Sequence, residues 1–135
     1  VGRVKVADFR ALRLYQNAAD AASEIFEITK RFPREEQYAL TDQVRRSSRS
    51  VCANIAEAWR KRRYPASFVS KLSDADAAAA ETQAWIDITH RCDYINADVE
   101  QRMLNRYHHI CAQLTLMMSS PERWLLSTKP PSHDR

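Results

Sequence analysis

This chain of 135 residues has one glycine, Gly2, close to its N-terminus. Strand hairpins and tight turns draw on glycine for positive φ angles that other residues adopt at a cost. A chain without glycine beyond position 2 is poorly equipped for a strand-rich fold. Its turns must come from Pro, Asn, Asp and Ser, and its regular structure should be helical. The apolar fraction of 44% and charged fraction of 28% are those of a globular protein. A domain of this size buries about two-thirds of its unfolded surface without cross-links.

Hydrophobic periodicity then divides the chain. Asp8 is an N-cap candidate for a first helix that runs to Phe32, where Pro33 stops it. Arg10, Arg13, Asn17, Asp20, Glu24, Glu27 and Arg31 form its polar face, with Leu12, Tyr15, Ala19, Ala22, Ile25, Phe26 and Phe32 opposite. A polar link, Pro33 to Tyr38, leads to a second helix over 40–63 that Thr41 or Asp42 can start. Tyr64-Pro65-Ala66-Ser67 breaks the chain, and a third helix begins within Pro65 to Phe68 and reaches Tyr94. Its alanines, Ala75, Ala77, Ala78, Ala79, Ala80 and Ala84, favour helix and let a neighbour approach closely. Asn96-Ala97-Asp98 marks a stop and a new cap. Val99, Met103, Tyr107, Ile110, Leu114 and Met117 line a fourth helix. Four helices with short links predict an all-α, antiparallel up-down-up-down four-helix bundle over 9–118. An arm, 1–8, precedes it. A tail, 119–135, follows, in which Trp124, Leu125 and Leu126 dock back or meet a neighbour and the end from Thr128 is expected to be disordered.

The second helix has two working faces. At about 100° per residue, Arg46, Ser50, Asn54, Glu57 and Lys61 fall within roughly 80° of one another. Val44, Val51, Ile55, Ala58 and Trp59 lie opposite. The polar stripe is either a solvated surface or, given the small Ser47, Ser50, Ala53 and Ala56, a surface for another helix. In the second case Ser50, Asn54 and Glu57 fix register at a structural or subunit interface, and a buried Glu57 needs an arginine, either Arg46 or one from another chain. Basic residues gather at both ends of this helix: Arg45, Arg46 and Arg49 at one, Arg60, Lys61, Arg62 and Arg63 at the other. These seven are the candidate phosphate contacts, with Arg3, Lys5, Arg10 and Arg13 as possible additions. The ordinary alternative is a solubilising face, since Glu35, Glu36 and Asp42 lie nearby. Trp59 and Tyr64 are candidate base-stacking rings, although Trp59 sits on the apolar side.

The words Leu40-Thr41-Asp42-Gln43-Val44-Arg45-Arg46-Ser47 and Ser50-Val51-Cys52-Ala53-Asn54-Ile55-Ala56-Glu57 resemble the bacterial four-helix-bundle proteins encoded in intervening sequences of 23S ribosomal RNA genes. Phe32-Pro33 followed by Glu36, Tyr38 and Leu40, and the later Glu81-Thr82-Gln83, extend the resemblance. The accessory protein of diversity-generating retroelements is similar to the same group. The resemblance implies a ring-like homo-oligomer, a pentamer, and a role beside RNA or DNA or a nucleic-acid-processing protein. The chain departs from the family pattern where Ala58 stands for its usual Gly, and where Ala75, Asp76 and Ala79 stand for a Gly-Ser and the first Glu of the third helix.

Nothing in the sequence assembles a catalytic centre or calls for a cofactor. Asp87-x-x-His90 is one weak metal-binding pair, and a di-iron bundle needs two Glu-x-x-His elements, of which there are none. His108 and His109 point about 100° apart, and His133 belongs to the tail. Ser47, Ser48, Ser50 and Cys52 have no nearby histidine in sequence. Cys52, Cys92 and Cys111 are odd in number and read as small buried or semi-buried thiols of a reducing cytoplasm. No signal peptide or membrane span is evident. The expectation is a cytoplasmic, non-enzymatic bundle that self-assembles and binds nucleic acid. A protein-protein adaptor is the alternative.

Overall fold

The computed structural model describes residues 8–126. Four long helices, α1 (Arg13–Thr29), α2 (Leu40–Arg60), α3 (Pro65–Arg91) and α4 (Ala97–Ser119), account for most of them, with short 3-10 turns at Phe9–Ala11, Arg34–Glu36 and Pro121–Arg123. There is no strand among the described residues. Each helix packs on its neighbours in sequence and α4 closes on α1. Cross-helix pairs run in opposite directions: Asn17 bonds Gln113 while Glu24 bonds Arg106, and Ser47 meets Thr82 while Glu57 meets Lys71. The bundle is therefore antiparallel and all-α, as the periodicity predicts. No helix among the described residues is long and apolar enough to cross a membrane.

The core follows the predicted stripes of α2 and α4. Val44, Val51, Ile55, Ala58 and Trp59 are buried, as are Met103, Tyr107, Ile110, Leu114 and Met117. α1 is rotated from its expected position. Its buried residues are Leu14, Ala18, Ala21, Ile25 and Thr29, because Asn17 and Glu24 turn toward α4 to meet Gln113, Arg102 and Arg106. Tyr15, Ala19, Ala22 and Phe26 are left half-buried beside α2. With Arg49 and Cys52 they line an open cleft of about 480 Å³.

The helix ends also differ from expectation. Asp8 caps the first 3-10 turn rather than α1, accepting from the Arg10 backbone N–H at 2.9 Å. The Arg10 guanidinium holds its pKa down at about 2. α2 has no side-chain cap of its own: Thr41 is buried with its hydroxyl unpartnered. Instead Glu36 accepts from the Leu40 N–H at 3.3 Å while Tyr94 donates to its other carboxylate oxygen at 2.8 Å. That bond to a carboxylate pushes the Tyr94 hydroxyl up to about 12. α3 stops at Arg91, short of Tyr94, in a Schellman geometry. Tyr94 N–H donates to the Thr89 carbonyl and Asp93 N–H to that of His90, with Asp93 at φ 62. Aspartate thus takes the left-handed position that glycine usually fills. Asn96 caps α4 by accepting from Val99 N–H at 2.8 Å, as its sequence predicts.

Cys52 and Cys111 are half-buried, and desolvation is the main cause raising both thiols to about 11. Cys92 departs from the buried-thiol expectation, since it is exposed at the end of α3. Along the α2–α3 seam, Ser47, Ser48, Ala75, Ala78, Ala79 and Thr82 are all buried. Thr82 donates to Ser47 Oγ at 2.8 Å, with the Ala78 carbonyl an alternative acceptor at 2.8 Å. Ala79 is 0% exposed, so the Glu of the family pattern would stand in the core here. Ala79→Glu is expected to destabilise the fold by about 3 kcal/mol or more, through overpacking and an unpaired carboxylate. Urea unfolding at neutral pH checks this; a midpoint equal to that of wild type would contradict it.

Candidate nucleic-acid interface

Rotation of α2, set by its apolar stripe, places Arg45, Arg46, Arg49 and Arg60, while Lys61, Arg62 and Arg63 lie in the turn after Arg60, where α2 ends short of the expected residue 63. Arg46, Arg49, Arg60, Lys61 and Arg63 are exposed, whereas Arg45 and Arg62 are half-buried. Arg45 Nε donates to Thr29 Oγ1 at 2.7 Å, and its guanidinium lies 4.6 Å from the centroid of the Phe26 ring. Lys30 at 4.9 Å and Arg49 at 5.8 Å share that ring. The quadrupole of a single Phe thus gathers three cations between α1 and α2. Glu27, 3.1 Å from Lys30, is the nearby countercharge.

At the other end Arg62 faces inward. Its guanidinium stacks 3.6 Å from the Trp59 ring centroid and its Nε donates to the Trp59 carbonyl at 2.8 Å. Burial lowers its pKa from the usual arginine value. Trp124 meets Trp59 edge-on at 6.1 Å, and Leu126 N–H donates to the Arg62 carbonyl at 3.1 Å. The segment after α4 therefore docks back onto the bundle, one of the two outcomes its sequence allowed. Arg62 is a fastening of that segment rather than a free phosphate contact. Arg60, Lys61 and Arg63 make no ion pair among the described residues. Arg60 lies about 21 Å along the helix from Arg46, at a rise of about 1.5 Å per residue, with Lys61 and Arg63 in the turn beyond it.

Between these ends lie Ser50, Asn54 and Glu57. Asn54 is half-buried and Nδ2 donates to the Ser50 carbonyl at 2.9 Å and to its hydroxyl at 3.1 Å, so its amide nitrogen is engaged within α2. Glu57 is not buried within the chain: its side chain is 55% exposed and pairs with Lys71 of α3 at 2.9 Å, not with Arg46. The hydrogen bond that Lys71 donates to Glu57, more than Asp74 at 3.8 Å, raises the Lys71 pKa. Lys71, Lys30 and Phe26 are participants that one-dimensional reading missed. Glu57 meets Lys71, and Phe26 meets Arg45 and Arg49, across two helices, so no spacing along the chain flags these contacts; Lys30 joins the same ring from its own helix.

The remaining candidates find other roles. His90 lies 3.2 Å from Glu100 and Asp87 pairs with Arg91, so the weak Asp-x-x-His pair is split between separate contacts. No group of three His, Cys, Asp or Glu side chains among the described residues is placed to hold a metal ion. His108 and His109 are exposed, Arg10 is paired with Asp8, and Arg13 is exposed. Arg3, Lys5, His133 and the tail from Thr128 lie outside the described residues.

These surroundings separate two neighbouring arginines by experiment. Arg62→Ala is expected to lower stability by about 1 kcal/mol or more, from the loss of a partly desolvated cation–π contact, and to change tryptophan emission as Trp124 loosens. Arg63→Ala should stay within about 0.5 kcal/mol of wild type. Thermal melts and fluorescence of the two variants check this, and equal melting temperatures would contradict the assignment.

Comparison with known proteins agrees with this architecture. The chain is similar to a crystal structure of a protein of unknown function from the S23 ribosomal protein family of Bacteroides thetaiotaomicron. The TM-score is 0.72 at 26% identity, over 78% of this chain and 95% of that one. A comparison with curated proteins gives no match. Residues 10–116 match the 23S rRNA-intervening sequence proteins, a span that takes in all four helices almost to the end of α4, and the chain belongs to that family.

Proposed function

We propose that this protein is a cytoplasmic, non-enzymatic, self-assembling scaffold that presents the outward cations of α2 to RNA or DNA. One observation carries the reading. From residue 58 to residue 73 the chain holds Arg60, Lys61, Arg62, Arg63 and Lys71 and no Asp or Glu. Three of these, Arg60, Lys61 and Arg63, reach solvent without an ion pair among the described residues. Guanidinium groups pair with phosphates in two-pronged fashion, and each neutralised phosphate releases counterions. Arg46 and Arg49 supply a second cluster on the same helix. The family's name ties it to an intervening sequence of 23S rRNA, which fits an RNA setting. The likeness to the accessory protein of diversity-generating retroelements belongs to the same reading, with a nucleic-acid-processing protein as a further partner.

Assembly into a pentameric ring completes the proposal, because several modest patches on one particle bind a polyanion with avidity that one patch lacks. The exposed residues of α3 include the small or apolar Ala77, Ala80, Ala84 and Ile88, beside Asp74 and Glu81. On α2, Ser50, Asn54 and Glu57 supply the polar contacts that fix register. A pure protein adaptor is the weaker alternative, since Trp124 and Leu125 already pack against the core of their own chain.

Two experiments test these halves. Fluorescence anisotropy across a salt series should show binding that falls steeply with salt. In Arg60→Ala/Lys61→Ala/Arg63→Ala, which leaves Arg62 in place, affinity should drop about tenfold or more at low salt and the log–log slope should shrink by about 2. Absence of binding by wild type at low salt would favour the adaptor. For assembly, Glu57→Ala should reduce particle mass by light scattering while Lys71→Ala, which removes the same ion pair, should not. Unchanged mass in Glu57→Ala would remove Glu57 from the interface.

A further inference from the structure

The α2–α3 corner carries an aromatic ring that the core does not use. Tyr64 is 58% exposed, whereas the other candidate stacking ring, Trp59, is 3% exposed and covered by Arg62 and Trp124. The Tyr64 backbone is held at both ends. Its N–H donates to the Lys61 carbonyl at 2.9 Å, and its own carbonyl accepts from Phe68 N–H at 2.9 Å as the cap of α3. Pro65, the next residue, restricts it to extended backbone, observed at φ −122 and ψ 96. Phe68, one turn into the helix, is fully buried. The ring thus projects into solvent from a rigid corner.

A lone exposed tyrosine is ordinary surface. Here it sits directly after Arg60, Lys61 and Arg63, within the acid-free run described above, and between Lys61 and Ala66 in sequence, two of the residues that line a cleft of about 410 Å³ with Ser67, Ser70 and Lys71. Arg62 is fastened to Trp59, while its neighbours Lys61 and Arg63 are exposed. Tyr38, the other strongly exposed tyrosine at 89%, lacks this company: Glu35, Glu36 and Asp42 surround it in sequence and repel phosphate.

We infer that this corner binds single-stranded nucleic acid, with an unpaired base stacked on the Tyr64 ring and the adjoining phosphates on Arg60, Lys61 and Arg63. The inference rests on the nucleic-acid reading of this surface and narrows it to a substrate class. A single strand offers a base face and a phosphate at each nucleotide, which is the pairing of groups present here. A duplex hides its base faces in the stack, and its grooves are read by a protruding helix or ribbon. This corner is a turn between two packed helices and supplies neither.

The test compares wild type, Tyr64→Ala and Tyr64→Phe on three labelled probes of equal length: a single strand, an abasic strand with the same number of phosphates, and a duplex. Wild type should prefer the base-bearing strand. Tyr64→Ala should weaken that binding about five- to a hundredfold, the usual range for losing one stacked base. It should leave the abasic strand unaffected, and Tyr64→Phe should restore affinity. Emission of a 2-aminopurine strand should be quenched by wild type and not by Tyr64→Ala. Equal binding of all probes by wild type and Tyr64→Ala, still steep in salt, would overturn the inference and leave the basic-surface reading intact, as would tighter binding of duplex than of single strand. No binding of any probe at low salt would overturn both. The side chain is exposed and outside the core, so matching thermal melts are expected and exclude misfolding as the cause.

Discussion

The seam between α2 and α3 is narrow, and the placement of every outward group on α2 depends on it. Ser47 and Thr82 meet across it at 2.8 Å, and Ser48, Ala75, Ala78 and Ala79, buried on the same two helices, add almost no side-chain bulk. Their hydroxyls are neutralised locally: Ser47 donates to the Val44 carbonyl at 3.3 Å, Ser48 to that of Arg45 at 3.0 Å, and Thr82 has Ser47 and the Ala78 carbonyl within reach. Small residues with self-satisfied hydroxyls act as packing surface and avoid the penalty of an unmet buried donor. Larger apolar residues, Val44, Val51, Ile55 and Trp59, then fill the remaining inward arc. α2 has one rotation that buries both sets, and that rotation sends Arg46, Arg49 and Arg60 to water.

Arginines of α2 and of the turn after it do unlike work. Arg45, at the border of the buried arc of α2, and Arg62, in the turn after it, each have an aromatic face within reach, and both stack on one. A partly desolvated cation–π contact is worth up to about 2 kcal/mol, against about 0.5–1 for an exposed one. A guanidinium that gives this up for a phosphate in water gains little. Arg60, Lys61 and Arg63 show no such contact among the described residues, and an anion pairing with them would displace only water. Charge counts along the chain cannot make this distinction. Neighbouring rings make it.

Much of the fold is legible in sequence because period and punctuation are local. The stripes of α2 and α4, Pro65 in the first turn of α3 and Asn96 as a cap all read directly. What fails to read is long-range. α1 is turned because Asn17 and Glu24 find polar partners on α4, and an amphipathic stripe cannot announce that part of its polar side will be used inside a seam. The start of α2 is capped by Glu36, itself held by Tyr94 from the far end of α3. Asp93 does glycine's work at the end of α3, in a chain whose one glycine is elsewhere. For the candidate interface, the seven cations and Tyr64 are legible as types, but the Arg62–Trp59–Trp124 stack and the Glu57–Lys71 pair join residues of different elements, and only the packed bundle brings them together.

The departures from the family pattern have a physical reading in the same seam. Ala75 and Ala79 are both 0% exposed, and Asp76 is half-buried on the side where its carboxylate helps raise the Cys111 thiol. A side chain at position 79 is out of solvent and cannot touch a dissolved ligand while α2, α3 and α4 remain packed. A carboxylate there would demand a buried cation, and the cations nearest in sequence on α3, Lys71 and Arg91, are already engaged with Glu57, Asp74 and Asp87. Alanine removes that demand and tightens the seam. In this chain α3 is therefore specialised for packing, and the chemistry available to a partner is concentrated on α2 and the corner that follows it.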